Sequence, residues 1–157
     1  CFVAQFPLIT NLIARKRASD VRMTRTDVFF DTNVLVYMGL SDETKAENSR
    51  QLLAKGGVVS VQVLNEYVSA TRGKNRVPWP LVMIGVEGIR AGCRVVPLTL
   101  ATHELGLAYA EQYQFAIYDS MIVAAAVLAG CATLYSEDMH DGLVIDGLTI
   151  RNPYALT

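Results

Sequence analysis

The chain is poor in the side chains that usually carry metal-free catalysis. Its 157 residues include two histidines, His103 and His140, and three cysteines, Cys1, Cys93 and Cys131. The cysteines make no even set and have no metal-ligand spacing. Cys93 and Cys131 flank apolar segments, so they are expected to be reduced core thiols rather than a disulfide framework or a zinc site. His103, within Thr102-His103-Glu104, reads as a structural residue on a helix, whereas His140 stands close enough to Asp138 for a substrate contact to stay open. No apolar run reaches the roughly 18 residues that span a bilayer. The longest, 121–131, has small residues in its middle and reads as a buried helix, so no membrane association is expected and a cytoplasmic location is. Internal repeats, low-complexity stretches and a Gly-rich phosphate loop are all missing, which excludes solenoids and the common nucleotide-binding motifs.

An excess of either charge is also missing. The formal net charge is −1, so the chain as a whole is no polycation for nucleic acid. The sum hides an asymmetry: Arg15, Lys16, Arg17, Arg22 and Arg25 face only Asp20 in the first 25 residues, and the rest carries −5. A nuclease with that balance would need cations and a local basic patch to hold a polyanion. The first segment is apolar to Ile13 and basic afterwards, the reverse of a secretory signal. Met23 stands just ahead of a good strand. Residues 1–25 are therefore expected to form an extension outside the fold, and 26–157 a single domain.

What is present is alternation. Apolar residues make up 52% of the chain, and short β-branched runs at 28–30, 58–61, 94–98, 132–135 and 148–150 are separated by helical patterns. Helices are expected at 34–37, 48–55, 62–71, 79–91, 99–113 and 121–129, with Ser41-Asp42-Glu43-Thr44 as a capping cluster and Gly56-Gly57 as a stop signal. This pattern predicts an α/β fold of three layers, a central, mainly parallel sheet of four or five strands flanked by helices. In such sheets ligands bind beyond the carboxyl ends of the strands.

Four acids fall on that predicted edge. Asp31 and Asp138 follow strands directly, Glu66 lies about one turn into the helix after the second strand, and Asp119 opens a helix taken to follow a strand. Singly, each has an ordinary explanation: a helix N-cap for Asp31 or Asp119, a solvated helix face for Glu66, turn chemistry for Asp138 beside Asp141-Gly142. Jointly they point to a carboxylate cluster. Like charges at short range repel and raise one another's pKa, and a hard divalent cation bound by oxygen is the usual neutraliser. An aspartate-nucleophile phosphatase would want a second Asp where Asn33 stands, and a receiver domain would want paired acids near the start and a late Lys, neither of which is evident.

The stretches Val28-Phe29-Phe30-Asp31-Thr32-Asn33-Val34-Leu35-Val36-Tyr37, Val61-Gln62-Val63-Leu64-Asn65-Glu66-Tyr67, Tyr118-Asp119-Ser120-Met121-Ile122-Val123-Ala124-Ala125-Ala126 and Leu134-Tyr135-Ser136-Glu137-Asp138-Met139 resemble, in order and spacing, the PIN-domain ribonucleases, and more closely toxins of the VapC type. The tail Gly147-Leu148-Thr149-Ile150-Arg151-Asn152-Pro153-Tyr154 is similar to family endings. The resemblance implies that Asp31, Glu66, Asp119 and Asp138 form the acidic catalytic cluster, with Asp31, Asp119 and Asp138 as ligands of Mg2+ or Mn2+ and Glu66 ligating the cation or orienting the attacking water. It makes Thr32, Asn33 and Ser136 supporting residues and leaves Asp141 as an optional aid to a second cation. It also implies RNA cut to a 5′-phosphate and a 3′-hydroxyl, a cognate antitoxin protein and a homodimer. Arg72, Lys74 and Arg76, with Trp79 beyond them, are the candidate phosphate contacts. A non-catalytic protein-binding module of the same fold is the alternative, with Tyr37, Met38 and Leu40 as its contact surface.

Overall fold

The computed structural model describes residues 28–39, 42–73 and 75–155. The expected extension over 1–25, Leu40 and Lys74 lie outside the described residues. In chain order the elements are β1 (Val28–Phe30), α1 (Thr32–Tyr37), α2 (Glu43–Ala54), β2 (Gly57–Ser60), α3 (Val61–Arg72), α4 (Trp79–Gly92), β3 (Cys93–Val96), α5 (Leu100–Tyr113), α6 (Ile117–Leu128), β4 (Thr133–Tyr135), β5 (Val144–Ile145) and β6 (Leu148–Arg151).

The strands form one sheet in the order β3-β2-β1-β4-β6-β5. The first five in that order are parallel, and β5 runs antiparallel to β6. This is the expected α/β architecture with one strand more. The two-residue β5 is too short to show any alternation in sequence. Its turn into β6 is made by Asp146 and Gly147 at φ 48° and 84°, the left-handed region that a tight hairpin requires.

The central strands are buried on both faces: Phe29, Val58, Val59 and Leu134 have no exposure and Phe30 has 1%. That is why they read as continuous apolar runs rather than alternating ones. The buried helix expected around 121–129 is α6, whose residues from Ser120 to Ala126 are all inside. The two glycines of the expected stop signal have different tasks. Gly56, at φ 79°, ends the α2 turn. Gly57 opens β2 under the Phe30 ring, where an added Cβ would lie 2.2 Å from Phe30 Cε2, so the ring keeps that position free of a side chain.

This topology sets the acids side by side. β2, β1 and β4 are neighbours, so the chain leaving β1 at Asp31, leaving β2 into α3, and leaving β4 at Ser136 shares one edge. Ser60 caps α3 by accepting from Val63 N at 3.3 Å. Asp119 reaches the edge by a different route from the one expected. Its helix follows α5 across residues 114–116, not a strand, after Gln114 ends α5 in the left-handed conformation at φ 57°. Because α6 leads into the start of β4, its twelve residues, about 18 Å at 1.5 Å per residue, carry its N-terminus back to the opposite edge.

Candidate active site

The four acids line one cleft of about 460 Å³, together with Thr32, Asn33 and Tyr37. Asp31 lies deepest, 5% exposed. Its Oδ1 accepts from Thr32 N at 2.6 Å, so Asp31 does cap α1, and its Oδ2 accepts from Ser136 Oγ at 2.6 Å and Asn33 Nδ2 at 3.0 Å. The same Asn33 amide donates to Asp138 Oδ2 at 3.2 Å and lies 3.4 Å from Ser136 Oγ, which also accepts the Asp138 backbone N–H at 3.3 Å. Ser136 and Asn33 thus tie the exit of β4 to the exit of β1.

Glu66 is held from both sides. Thr32 Oγ1 donates to Oε2 at 3.0 Å, and Gln62 Nε2 donates to Oε1 at 2.7 Å. Gln62, 8% exposed, was not singled out from sequence; the available signal was its position one helical turn before Glu66. Asp119 does not cap its helix. Ala116 occupies that position, and Asp119 is the acid of the first turn, where the helix dipole favours it.

Two of the four carboxyls, Asp31 and Asp119, are shifted by burial and crowding. Asp31 is raised to about 7 from 3.8, first by burial and further by Glu66 and Asp119, against the lowering effect of Ser136 and Thr32 N–H. Asp119 is also raised, by burial first and then by Glu66 and Asp138. Among the described residues, no cation is paired with any of the four carboxylates; the ion pairs are Lys45–Glu137, Arg50–Glu43, Arg50–Glu47 and Arg90–Glu87.

Neighbouring acids are accounted for elsewhere. Glu137 turns away to Lys45, and although burial alone would raise its carboxyl, the bonds from Lys45 and Tyr37 hold it below the usual range. Asp141 Oδ1 accepts from Asn152 N at 2.8 Å and fixes the tail. His140 and His103 are exposed. In the basic loop, Arg72 is not free: its Nη1 donates to Val77 O at 2.8 Å and its guanidinium lies 5.0 Å from the Trp79 ring centroid. Arg76 is exposed, at φ 51°. Of the surface named for the binding-module alternative, Met38 is buried at 3% and Tyr37 is engaged with Lys45.

The donor chemistry suits a hard divalent cation. All the carboxylates are oxygen ligands, and Asn33 Oδ1 is buried without a hydrogen-bond partner. As the side chains lie, no three acidic, His or Cys groups among the described residues are close enough to enclose one ion.

The sequence matches the PIN domain family over residues 28–140, a span that contains all four acids. No curated protein matches it. Among solved structures, VapC20 of Mycobacterium tuberculosis, a toxin that cleaves the sarcin–ricin loop, superposes with a TM-score of 0.60 at 18% identity, covering 71% of this chain and 89% of that one. A toxin–antitoxin complex from Klebsiella pneumoniae gives a TM-score of 0.62 at 18% identity, covering 82% and 99%. At this identity the likeness is one of fold. With its family pattern running from β1 to just beyond Asp138, the chain belongs to the PIN-domain family.

Proposed function

We propose that the protein is a divalent-cation-dependent endoribonuclease and the toxin of a toxin–antitoxin pair. The observation that carries this reading is the gathering of Asp31, Glu66, Asp119 and Asp138 around one cleft with no paired cation among the described residues. Support for the biological role comes from the structural neighbours, one an RNA-cleaving toxin and the other a toxin–antitoxin complex.

In this reading Asp31, Asp119 and Asp138 hold Mg2+ or Mn2+, which when bound supplies charge neutralisation at the phosphate and a lowered pKa for water. The chain's own residues do the positioning. Ser136, Asn33 and Thr32 N–H fix the Asp31 carboxylate by three hydrogen bonds, so it is aimed before substrate arrives. Glu66, immobilised by Thr32 and Gln62, keeps oxygen lone pairs free to accept a proton from the attacking water. Tyr37 forms part of the wall. Arg76, with Lys74 two residues before it in sequence, is the better candidate for phosphate contact, since Arg72 is engaged with Val77 and Trp79. The partners in this reading are RNA and an antitoxin protein, with a second copy of the chain forming a homodimer.

The test is cleavage of a total RNA pool by partner-free protein in Mg2+ or Mn2+, wild type beside Asp31→Asn. Fragments ending in 5′-phosphate from the wild type alone are expected. Equal cleavage by both proteins, or none by the wild type, would remove the nuclease assignment.

A further inference from the structure

Lys45 makes more contacts than an ordinary surface lysine. Its Nζ is bonded to Glu137 Oε1 and to Tyr37 Oη at 3.3 Å. It lies 4.4 Å from the centroid of the Tyr37 ring and 5.2 Å from that of Tyr154. Those two rings meet edge to face at 5.2 Å, and Tyr154 Oη shares a hydrogen bond with Ser49 Oγ at 2.6 Å. Four segments meet there: the end of α1, the first half of α2, the exit of β4 and the C-terminal tail.

The side chains leaving β4 alternate. Ser136 Oγ points to Asp31, Glu137 to Lys45, and Asp138 to Asn33. Asp138 is lightly held by its own contacts, one amide donor at 3.2 Å to its carboxylate and the Ser136 hydroxyl at 3.3 Å from its N–H. We propose that Lys45, Glu137 and Tyr37 form a clasp that positions Asp138, pulling the intervening Glu137 outward so that Asp138 faces the cleft. This rests on the cation-dependent reading given above.

An isolated surface ion pair would be too weak for the task. This one is different in kind, because both partners are about three-quarters buried and the ammonium sits against two aromatic rings. The rings fix the cation, the cation fixes Glu137, and the peptide bond passes that constraint to Asp138. Lys45 and Glu137 touch no reacting atom and are positioning residues.

The test compares full-length wild type with Lys45→Met, Lys45→Arg and the exchange Lys45→Glu with Glu137→Lys. Two quantities are read: amide hydrogen exchange at Asp138 in cation-free protein, and Mn2+ affinity by calorimetry. Lys45→Met is expected to speed Asp138 exchange about tenfold and to weaken Mn2+ binding about tenfold, the scale on which residues that orient metal ligands act. Its melting temperature should stay near wild type, Lys45→Arg should recover both readouts, and the exchanged pair, which sets a carboxylate against the Tyr37 and Tyr154 rings, should fall short of that recovery. Wild-type exchange and wild-type Mn2+ affinity in Lys45→Met would overturn the clasp. So would faster exchange with unchanged affinity, because the tether would then hold the segment without positioning the ligand. Should Lys45→Met fail to fold, Glu137→Gln carries the same comparison. A wild type that takes up no Mn2+ would overturn the cation-dependent reading, whereas wild-type Asp138 exchange in Lys45→Met would overturn the clasp whatever the Mn2+ result.

Discussion

Replacing Asp31 by Asn should stabilise the cation-free protein at neutral and alkaline pH while abolishing activity. Asp31 is 5% exposed, and burial first, then Glu66 and Asp119, raise it from 3.8 to about 7. A shift of that size corresponds to about 4 kcal/mol of disfavoured ionisation, at about 1.4 kcal/mol per pKa unit. Asparagine removes the charge but brings an amide donor against Ser136 Oγ and Asn33 Nδ2. Losing one or two hydrogen bonds there costs about 1 kcal/mol each, so the net gain is about 2 kcal/mol. For a chain of this size that is a rise in Tm of about 4–8 °C.

The sign follows from linkage. The folded-state pKa lies above the unfolded one, so the ionisation penalty is absent below 3.8, grows between 3.8 and about 7, and is complete above that. The advantage of the Asp31→Asn variant over wild type should therefore be greatest near about pH 8 and should disappear or reverse near about pH 4, where only the lost hydrogen bonds remain. Thermal melts of both proteins in chelator across this range measure it, and added Mg2+ should raise the Tm of the wild type alone. A variant less stable than wild type by the same amount at both ends of the range would refute the reasoning.

Gly57→Ala drives a methyl into the Phe30 ring, 2.2 Å from Cε2, and should cost about 2–3 kcal/mol in urea denaturation; a loss below about 0.5 kcal/mol would show that the ring yields freely. Gln62→Leu removes the donor to Glu66 Oε1 and should lower kcat about tenfold or more with little change in Tm, whereas unchanged kcat would show that the clamp on Glu66 is incidental. Arg72→Ala should cost about 1 kcal/mol of stability through its lost contacts with Val77 and Trp79 and leave RNA affinity unchanged. Arg76→Ala should weaken RNA binding and reduce the salt slope by about one; the opposite pattern in filter binding would exchange the two roles.

The sheet and three of the four acids were legible because apolar runs end abruptly in polar residues: Phe29-Phe30 before Asp31, Leu134-Tyr135 before Ser136 and Asp138, and Val58-Val59 ahead of the helix bearing Glu66. A parallel sheet sends all those ends to one edge. Asp119 reached the same edge, but on a helix that follows another helix, so the strand-end argument that places the other three does not cover it. The hidden features depend on pairing across the chain. Lys45 finds Glu137 at a separation of 92 residues, and Thr32 finds Glu66 at 34, and neither pairing leaves a local trace. Arg72 illustrates the converse. A basic, turn-rich loop reads as a phosphate contact, and nothing local shows that its guanidinium also meets the carbonyl of Val77 and the face of Trp79. The cleft's remaining support, from Gln62, lies in side-chain orientation, which sequence spacing expresses only weakly.

The most direct measurement is the rate of RNA cleavage by chelator-stripped protein as Mg2+ or Mn2+ is added back, with Asp119→Asn alongside. The account predicts no cleavage without cation, a rise on adding it back, and little or no response from the variant. Cleavage that proceeds undiminished in chelator, or a variant as active as the wild type at saturating cation, would contradict a nuclease centre built from these four carboxylates.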